Sequence, residues 1–86
     1  VVDTPISEVG IVGLGIGAAM AGLRPICEMM RLDFATPAFD QIVQHAAKIR
    51  YMFGGQFKVP MVIRGPSGVG LQLSAQHSQA LEATFA

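Results

Sequence analysis

The chain has 86 residues, no net charge, 51% hydrophobic residues and only 14% charged ones. A chain this short buries about 60–65% of the surface its unfolded form exposes, and so little charge suits a small independent surface poorly; we expect a piece of a larger, well-buried core, or a surface hidden in an oligomer. Scattered Lys and Arg without a basic patch or charged tail argue against nucleic acid, and the single Cys27 excludes an intramolecular disulfide and fits a reducing compartment.

In chain order, Val1-Val2 reads as the end of a strand that Pro5 closes. Thr4 or Ser7 can cap the helix that follows, with Glu8 in its first turn, where a negative charge suits the dipole. Val9 to Leu23 carries no charge and five glycines. It is shorter than the about 20 residues of a bilayer span, and the acids before it rule against a signal peptide. Each glycine costs an isolated helix about 1 kcal/mol relative to alanine, so neighbours must press on this helix, and close approach of another backbone is the use its glycines suggest. Gly22 is the stop signal.

Arg24 to Met30 reads as a buried strand with Pro25 at its first position, where proline is tolerated, and Cys27 within it as an inert, buried thiol. Leu32 to Ala35 is a loop. Thr36-Pro37 is a helix start, cap then proline; Phe39, Ile42, Val43, Ala46, Ala47 and Ile49 take one face of that helix, and Gly54-Gly55 end it. Val59 to Ile63 is a second apolar strand despite Pro60, Gly65 to Gly70 a loop, and Ser78 to Phe85 a final helix that looks cut. Alternating strands and helices argue for an α/β fold with parallel strands and crossover helices.

Several motifs compete. Gly13-Leu14-Gly15-Ile16-Gly17-Ala18 satisfies the dinucleotide-binding spacing, with Glu28 or Asp33 available for a ribose, but the space before Gly22 is short for the required helix. Gly65 to Gly70 has the glycines of a phosphate loop, yet Leu71-Gln72 stand where lysine and a hydroxyl are needed. Ser67 is no nucleophile elbow, because Val69 replaces a glycine. No His, Cys, Asp and Glu set has metal spacing. His45 falls on a polar helix face. His77 follows the strand at Ile63, and ligands of parallel sheets bind outside the carboxyl ends of strands; Glu8, Phe34 and His77 would all fall at that edge.

Three stretches carry a specific resemblance. Val2-Asp3-Thr4-Pro5-Ile6-Ser7-Glu8, then Gly17-Ala18-Ala19-Met20-Ala21-Gly22-Leu23-Arg24-Pro25-Ile26-Cys27-Glu28, then Ala75-Gln76-His77-Ser78-Gln79 resemble the beta subunits of thiamine-diphosphate-dependent 2-oxo acid dehydrogenases. The pyruvate dehydrogenase type is nearest, and acetoin dehydrogenase beta subunits are also similar. The resemblance covers essentially the whole chain and is loosest from Arg31 to Pro37. It implies a three-layer α/β/α, transketolase-like pyrimidine-binding domain, of which residues 1–86 are the central part. The family's opening strand and helix would precede Val1, and its later strands and C-terminal domain would follow Ala86.

The resemblance further implies that Glu8 hydrogen-bonds the pyrimidine ring nitrogen of thiamine diphosphate, that Phe34 stacks on that ring, and that Ile6 and Met30 line the same pocket. His77 matches a histidine near the decarboxylation intermediate and the incoming lipoyl group. A carboxyl group is wanted at Glu8 because exchanging a proton with the ring nitrogen lets the aminopyrimidine shift to its imino form and act as a base, and the uncharged run beside it favours a protonated carboxyl. The resemblance assigns the diphosphate and its magnesium to a partner alpha subunit. It also implies a second beta subunit and the lipoyl domain of the acyltransferase as partners, no nucleic acid, no membrane, and a bacterial cytoplasm or a mitochondrial matrix as the compartment. A truncated, self-associating interaction module without activity is the competing expectation.

Overall fold

The computed structural model describes residues 1–86. Ser7 stands in extended backbone at the start of α1 (Glu8–Met20), its hydroxyl accepting from the Gly10 N–H at 3.3 Å, with Glu8 opening the first turn. Of the two capping candidates, the chain uses Ser7. The helix ends as its glycine announces. Gly22 takes φ +95°, the Leu23 N–H donates to the Ala18 carbonyl and the Gly22 N–H to that of Ala19, a left-handed stop that glycine enters without a Cβ penalty. The Gly13–Ala18 spacing therefore lies inside a helix, and no strand-to-helix turn exists there to cradle a pyrophosphate.

Two strands, β1 (Ile26–Glu28) and β2 (Val62–Arg64), pair in parallel, Ile26 against Val62, Cys27 against Ile63 and Glu28 against Arg64. The architecture is α/β, with the crossover between the strands supplying the second helical segment. Both strands are shorter than the apolar runs suggested. Pro25 has no N–H to pair, though its carbonyl accepts from Val62 at 3.0 Å; at the other end the Met29 N–H reaches the Arg64 carbonyl at 2.7 Å. The second strand begins at Val62 rather than Val59 because Pro60 cannot donate and the Met61 N–H turns back onto the Val59 carbonyl at 3.0 Å. Val1-Val2 form no strand. Both are fully exposed and no other strand of the chain runs beside them to take their N–H and C=O groups.

Three further expectations are corrected, two between the strands and one after β2. Leu32–Ala35 is a 3₁₀ turn rather than an open loop, and it runs directly into helix. Thr36 is consequently no cap: its backbone is already helical, and its hydroxyl donates back to the Asp33 carbonyl at 3.1 Å. The middle of the helix, Gln41–Ala46, is π-helical, with the Ala47 N–H reaching the Ile42 carbonyl at 2.9 Å, before α2 (Ile49–Met52) closes it and Gly54 and Gly55 turn the chain at positive φ. The terminal α3 is one turn, Glu82–Phe85, and not the longer helix expected from Ser78. Its Phe85 ring meets Phe39 at 5.8 Å.

The core lies where α1, the π-helical stretch and β1 meet. Val12, Ile16, Cys27, Met29, Ala38 and Ile49 are buried together, with Ile42, Met61 and Ile63 packed against them. Gly15 is what lets α1 reach the sheet: a Cβ built on it would overlap Cys27 Sγ and stand 3.1 Å from Met61 Cε. The expected backbone approach is thus an approach of helix backbone to side chains. Burial pushes the Cys27 thiol above its ordinary 9.0, and its Sγ lies 3.7 Å from the Ile11 carbonyl, so it is packed and unreactive, as its apolar setting suggested. Gly15→Ala is expected to destabilise by about 1–3 kcal/mol through overpacking, and Cys27→Ala in the same chain is expected to recover most of that. Denaturant midpoints of the two single variants and the double variant measure the coupling.

The opposite sheet face is bare. Ile26 is 62% and Val62 52% exposed, and the ion pair of Arg64 with Glu28 lies across that face, open to solvent. One of the two helical layers of an α/β/α sandwich is therefore present in this chain.

Candidate active site

The predicted site residues fall into two groups. Ile6, Glu8 and Met30 line one groove of about 890 Å³, between the N-terminal segment, the start of α1 and the end of β1. Ile6 is placed there because the chain must cross the sheet end to enter α1 at Ser7, and Met30 because β1 has just ended. Both present apolar side chains to the groove rather than to the core, 82% and 71% exposed. Glu8 is half-buried at the first turn of α1. Its carboxylate forms neither an ion pair nor a hydrogen bond within the chain, which leaves an acid facing a mostly apolar groove with its acceptor capacity unused.

Phe34 and His77 form the second group and do not line that groove. Their rings meet edge to face, 5.0 Å between centroids and 85° between planes. Both are half-buried. Phe34 lies on the 3₁₀ turn after β1, and His77 on the irregular segment that follows the loop after β2. Two stretches forty-three positions apart in number, 34 and 77, thus come together beyond the carboxyl ends of the paired strands. His45 is exposed and lines a shallow groove between α1 and the helical segment.

Sequence reasoning weighed Asp33 only as a ribose partner and passed over Arg31; the structure pairs the two beneath these rings. Asp33 and Arg31 are 3% and 5% exposed, and the Arg31 Nε donates to the Asp33 carboxylate at 3.1 Å. The other Asp33 oxygen accepts from the Gln79 N–H at 2.7 Å, and a second arm of Arg31 donates to the Gly68 carbonyl at 3.1 Å. A signal was available. Opposite charges two residues apart, inside an apolar stretch of a chain poor in charge, are candidates for a buried pair. Burial by itself raises the Asp33 carboxyl. The Gln79 N–H, the Arg31 hydrogen bond, its own backbone and the Arg31 charge outweigh that and hold it below its ordinary 3.8.

A depressed acid contributes stability that is fully present above its unfolded pKa and is lost as pH falls through its folded one. The contribution of Asp33 is therefore expected to fade as pH drops below 3.8 and on through the lower folded value. Denaturant midpoints followed down through that window test this: the fall should be shallower in Asp33→Asn than in the parent, and parallel curves would contradict it.

The whole chain, residues 1–86, matches the family described as transketolase, pyrimidine binding domain, and it belongs to that family. Relatives at more than half identity within it are pyruvate dehydrogenase beta subunits. The chain is 56% identical over 85 residues to the pyruvate dehydrogenase E1 component subunit beta of Rickettsia conorii. It is 53% identical to the mitochondrial subunit of Bos taurus and 55% identical to the chloroplastic beta-3 subunit of Oryza sativa. Each match takes in 99% of this chain but only 26%, 24% and 22% of the relative, so the chain spans about a quarter of their length. No helix is long and apolar enough to cross a membrane, and no group of three or more His, Cys, Asp and Glu side chains is gathered to hold a metal ion.

Proposed function

We propose that the chain is the central part of the pyrimidine-binding domain of a 2-oxo acid dehydrogenase beta subunit, with pyruvate as the 2-oxo acid, and that Glu8 serves thiamine diphosphate. The observation that carries this is the partnerless, half-buried Glu8 carboxylate in an apolar groove. That lining fits the group: an aminopyrimidine offers a flat apolar ring and ring nitrogens, and the groove offers apolar walls at Ile6 and Met30 with Glu8 beside them, while of its other acids Glu28 is paired with Arg64 and Asp3 lies on the exposed N-terminal segment. When bound, the cofactor supplies a carbanion at its thiazolium carbon. Glu8 would hold a proton at the pyrimidine nitrogen and pass it back, and Ile6 and Met30 would exclude water from that exchange. His77 would move a proton during acyl transfer to a lipoyl group. Phe34, outside the groove that holds Glu8, would keep His77 in place through their ring contact.

In this reading the diphosphate and its magnesium belong to a partner alpha subunit, as the family resemblance implies, and a second beta subunit and the lipoyl domain complete the assembly. The sequence relatives are mitochondrial, chloroplastic and bacterial; a bacterial cytoplasm or a mitochondrial matrix suits a buried free thiol. With only 11 of 86 residues buried, the 86-residue chain alone is expected to bind thiamine diphosphate weakly or not at all. Isothermal titration with the cofactor and magnesium tests this, and micromolar binding would contradict the division of labour between subunits.

The bare sheet face favours one further statement. Ile26 and Val62 are exposed on it, and open sheet edges template association. The isolated chain should therefore self-associate, and because Ile26 also lines the groove that holds Glu8, that association would cover the groove.

A further inference from the structure

Four hydrogen bonds beneath Phe34 and His77 close into a ring. Asp33 accepts from the Gln79 N–H at 2.7 Å, the Gln79 carbonyl accepts from the Gly68 N–H at 3.0 Å, the Gly68 carbonyl accepts from Arg31 at 3.1 Å, and Arg31 donates to Asp33 at 3.1 Å. Gly68 sits at φ +83°, which turns its N–H to Gln79 and its carbonyl to Arg31 at a cost only glycine avoids. The ring unites three segments that share no regular secondary structure. Its two charged members are almost wholly buried, where charge-assisted bonds are strong and an unpaired member is costly.

What the ring holds is the carrier of His77. Gln79 is two residues beyond the imidazole, and its side chain returns to the Gln76 carbonyl at 3.3 Å, bracketing His77 from both sides. Asp33 is the immediate neighbour of Phe34, whose ring meets the imidazole at 5.0 Å. Without the ring, residues 74–80 have no strand or helix to fix them.

We propose that Asp33, locked by Arg31, is a positioning residue for His77: its carboxylate fixes the backbone at Gln79 and so seats the imidazole edge-on against Phe34. This rests on the reading of His77 as a catalytic group only for its consequence in the reaction; the seating itself stands on geometry. Asp33 touches no reacting atom. It acts through the chain, and Arg31 acts through Asp33. The groups that face its carboxylate are Arg31, the Gln79 N–H and its own backbone, and no other charged side chain bonds to it.

The test uses the full-length subunit assembled with its partners and measures the rate at which diethyl pyrocarbonate modifies His77, followed by peptide mass, with exposed His45 as the internal control. Asp33→Ala removes both bonds, and the His77 rate is expected to rise roughly fivefold, the equivalent of one lost net hydrogen bond, with His45 unchanged. Asp33→Asn keeps an oxygen for the Gln79 N–H and should restore protection, which a loss of general stability would not predict. Arg31→Met opens the ring at Gly68 and is read in the same way if Asp33→Ala does not assemble. An unchanged His77 rate in Asp33→Ala, or in Arg31→Met where that variant is used, overturns the proposal, as does an equal rise at His45.

Turnover separates the two claims. A faster His77 modification with kcat lowered about tenfold or more at unchanged KM supports both. A faster modification with kcat unchanged keeps the seating role and removes His77 from catalysis. An unchanged modification rate with His77→Gln inactive removes the seating role and keeps His77.

Discussion

Glu8→Gln is expected to slow deuterium exchange at the thiazolium carbon of bound thiamine diphosphate by about a hundredfold or more, with subunit assembly and the melting profile nearly unchanged. The amide has the size and the polarity of the acid but can neither take up nor release the proton at the pyrimidine nitrogen. Little in the chain depends on the carboxylate. It bonds to no neighbour, and the helix start it belongs to is capped by Ser7. Glu8 contributes at most its charge at the first turn of α1, a term of about 0.3–1 kcal/mol. The variant therefore separates chemistry from folding. Exchange at the parental rate would remove Glu8 from the mechanism, and disassembly would show it to be structural.

Gly65→Ala is the substitution expected to damage the fold most. A Cβ there would stand 2.7 Å from the Met29 carbonyl oxygen, 3.1 Å from Met29 Cβ and 3.2 Å from the Leu32 N. Two of those neighbours are backbone atoms, which cannot swing aside as Cys27 or Met61 can beside Gly15. The same junction carries the Met29–Arg64 and Leu32–Pro66 hydrogen bonds, 2.7 Å and 2.8 Å, that continue the strand pairing beyond β1 and β2. Overpacking of this kind costs about 1–3 kcal/mol and occasionally more; at a rigid site the upper end is expected. The denaturant midpoint should fall with the slope of the transition unchanged, and a shift smaller than that of Gly15→Ala would contradict the backbone assignment.

The two substitutions show how unevenly the chain can be read. The glycines of α1 announce a helix that something must approach, and Gly15 is that point of approach; which atoms arrive is settled by β1, eleven and more residues away. Nothing around Gly65 in the sequence separates it from an ordinary loop glycine, because its constraint comes from Met29 and Leu32 across the sheet. The strand expected at Val1-Val2 failed for the converse reason. Its residues favour strand, but no strand of the chain is there to pair with them. Thr36-Pro37 looked like a cap and proved to be interior, because the preceding 3₁₀ turn had already set the backbone helical.

By itself the sequence determined the stop of α1 at Gly22 and a start at Thr4 or Ser7 with Glu8 in the first turn, the parallel order of the two strands, the burial of Cys27, and membership of the pyrimidine-binding family, which the match over residues 1–86 bears out. These are matters of residues near one another in the chain, or of a pattern long enough to be specific. The tertiary structure alone decided that Phe34 meets His77, that Ile6, Glu8 and Met30 share a groove apart from them, and that Arg31, Asp33, Gly68 and Gln79 close a ring. Those partners lie far apart along the chain, and neither propensity nor spacing encodes which of many possible long-range contacts will form. Packing α1 against β1 brings the strand ends into register, and only then are the two loops close enough for a buried acid to find the one N–H that satisfies it.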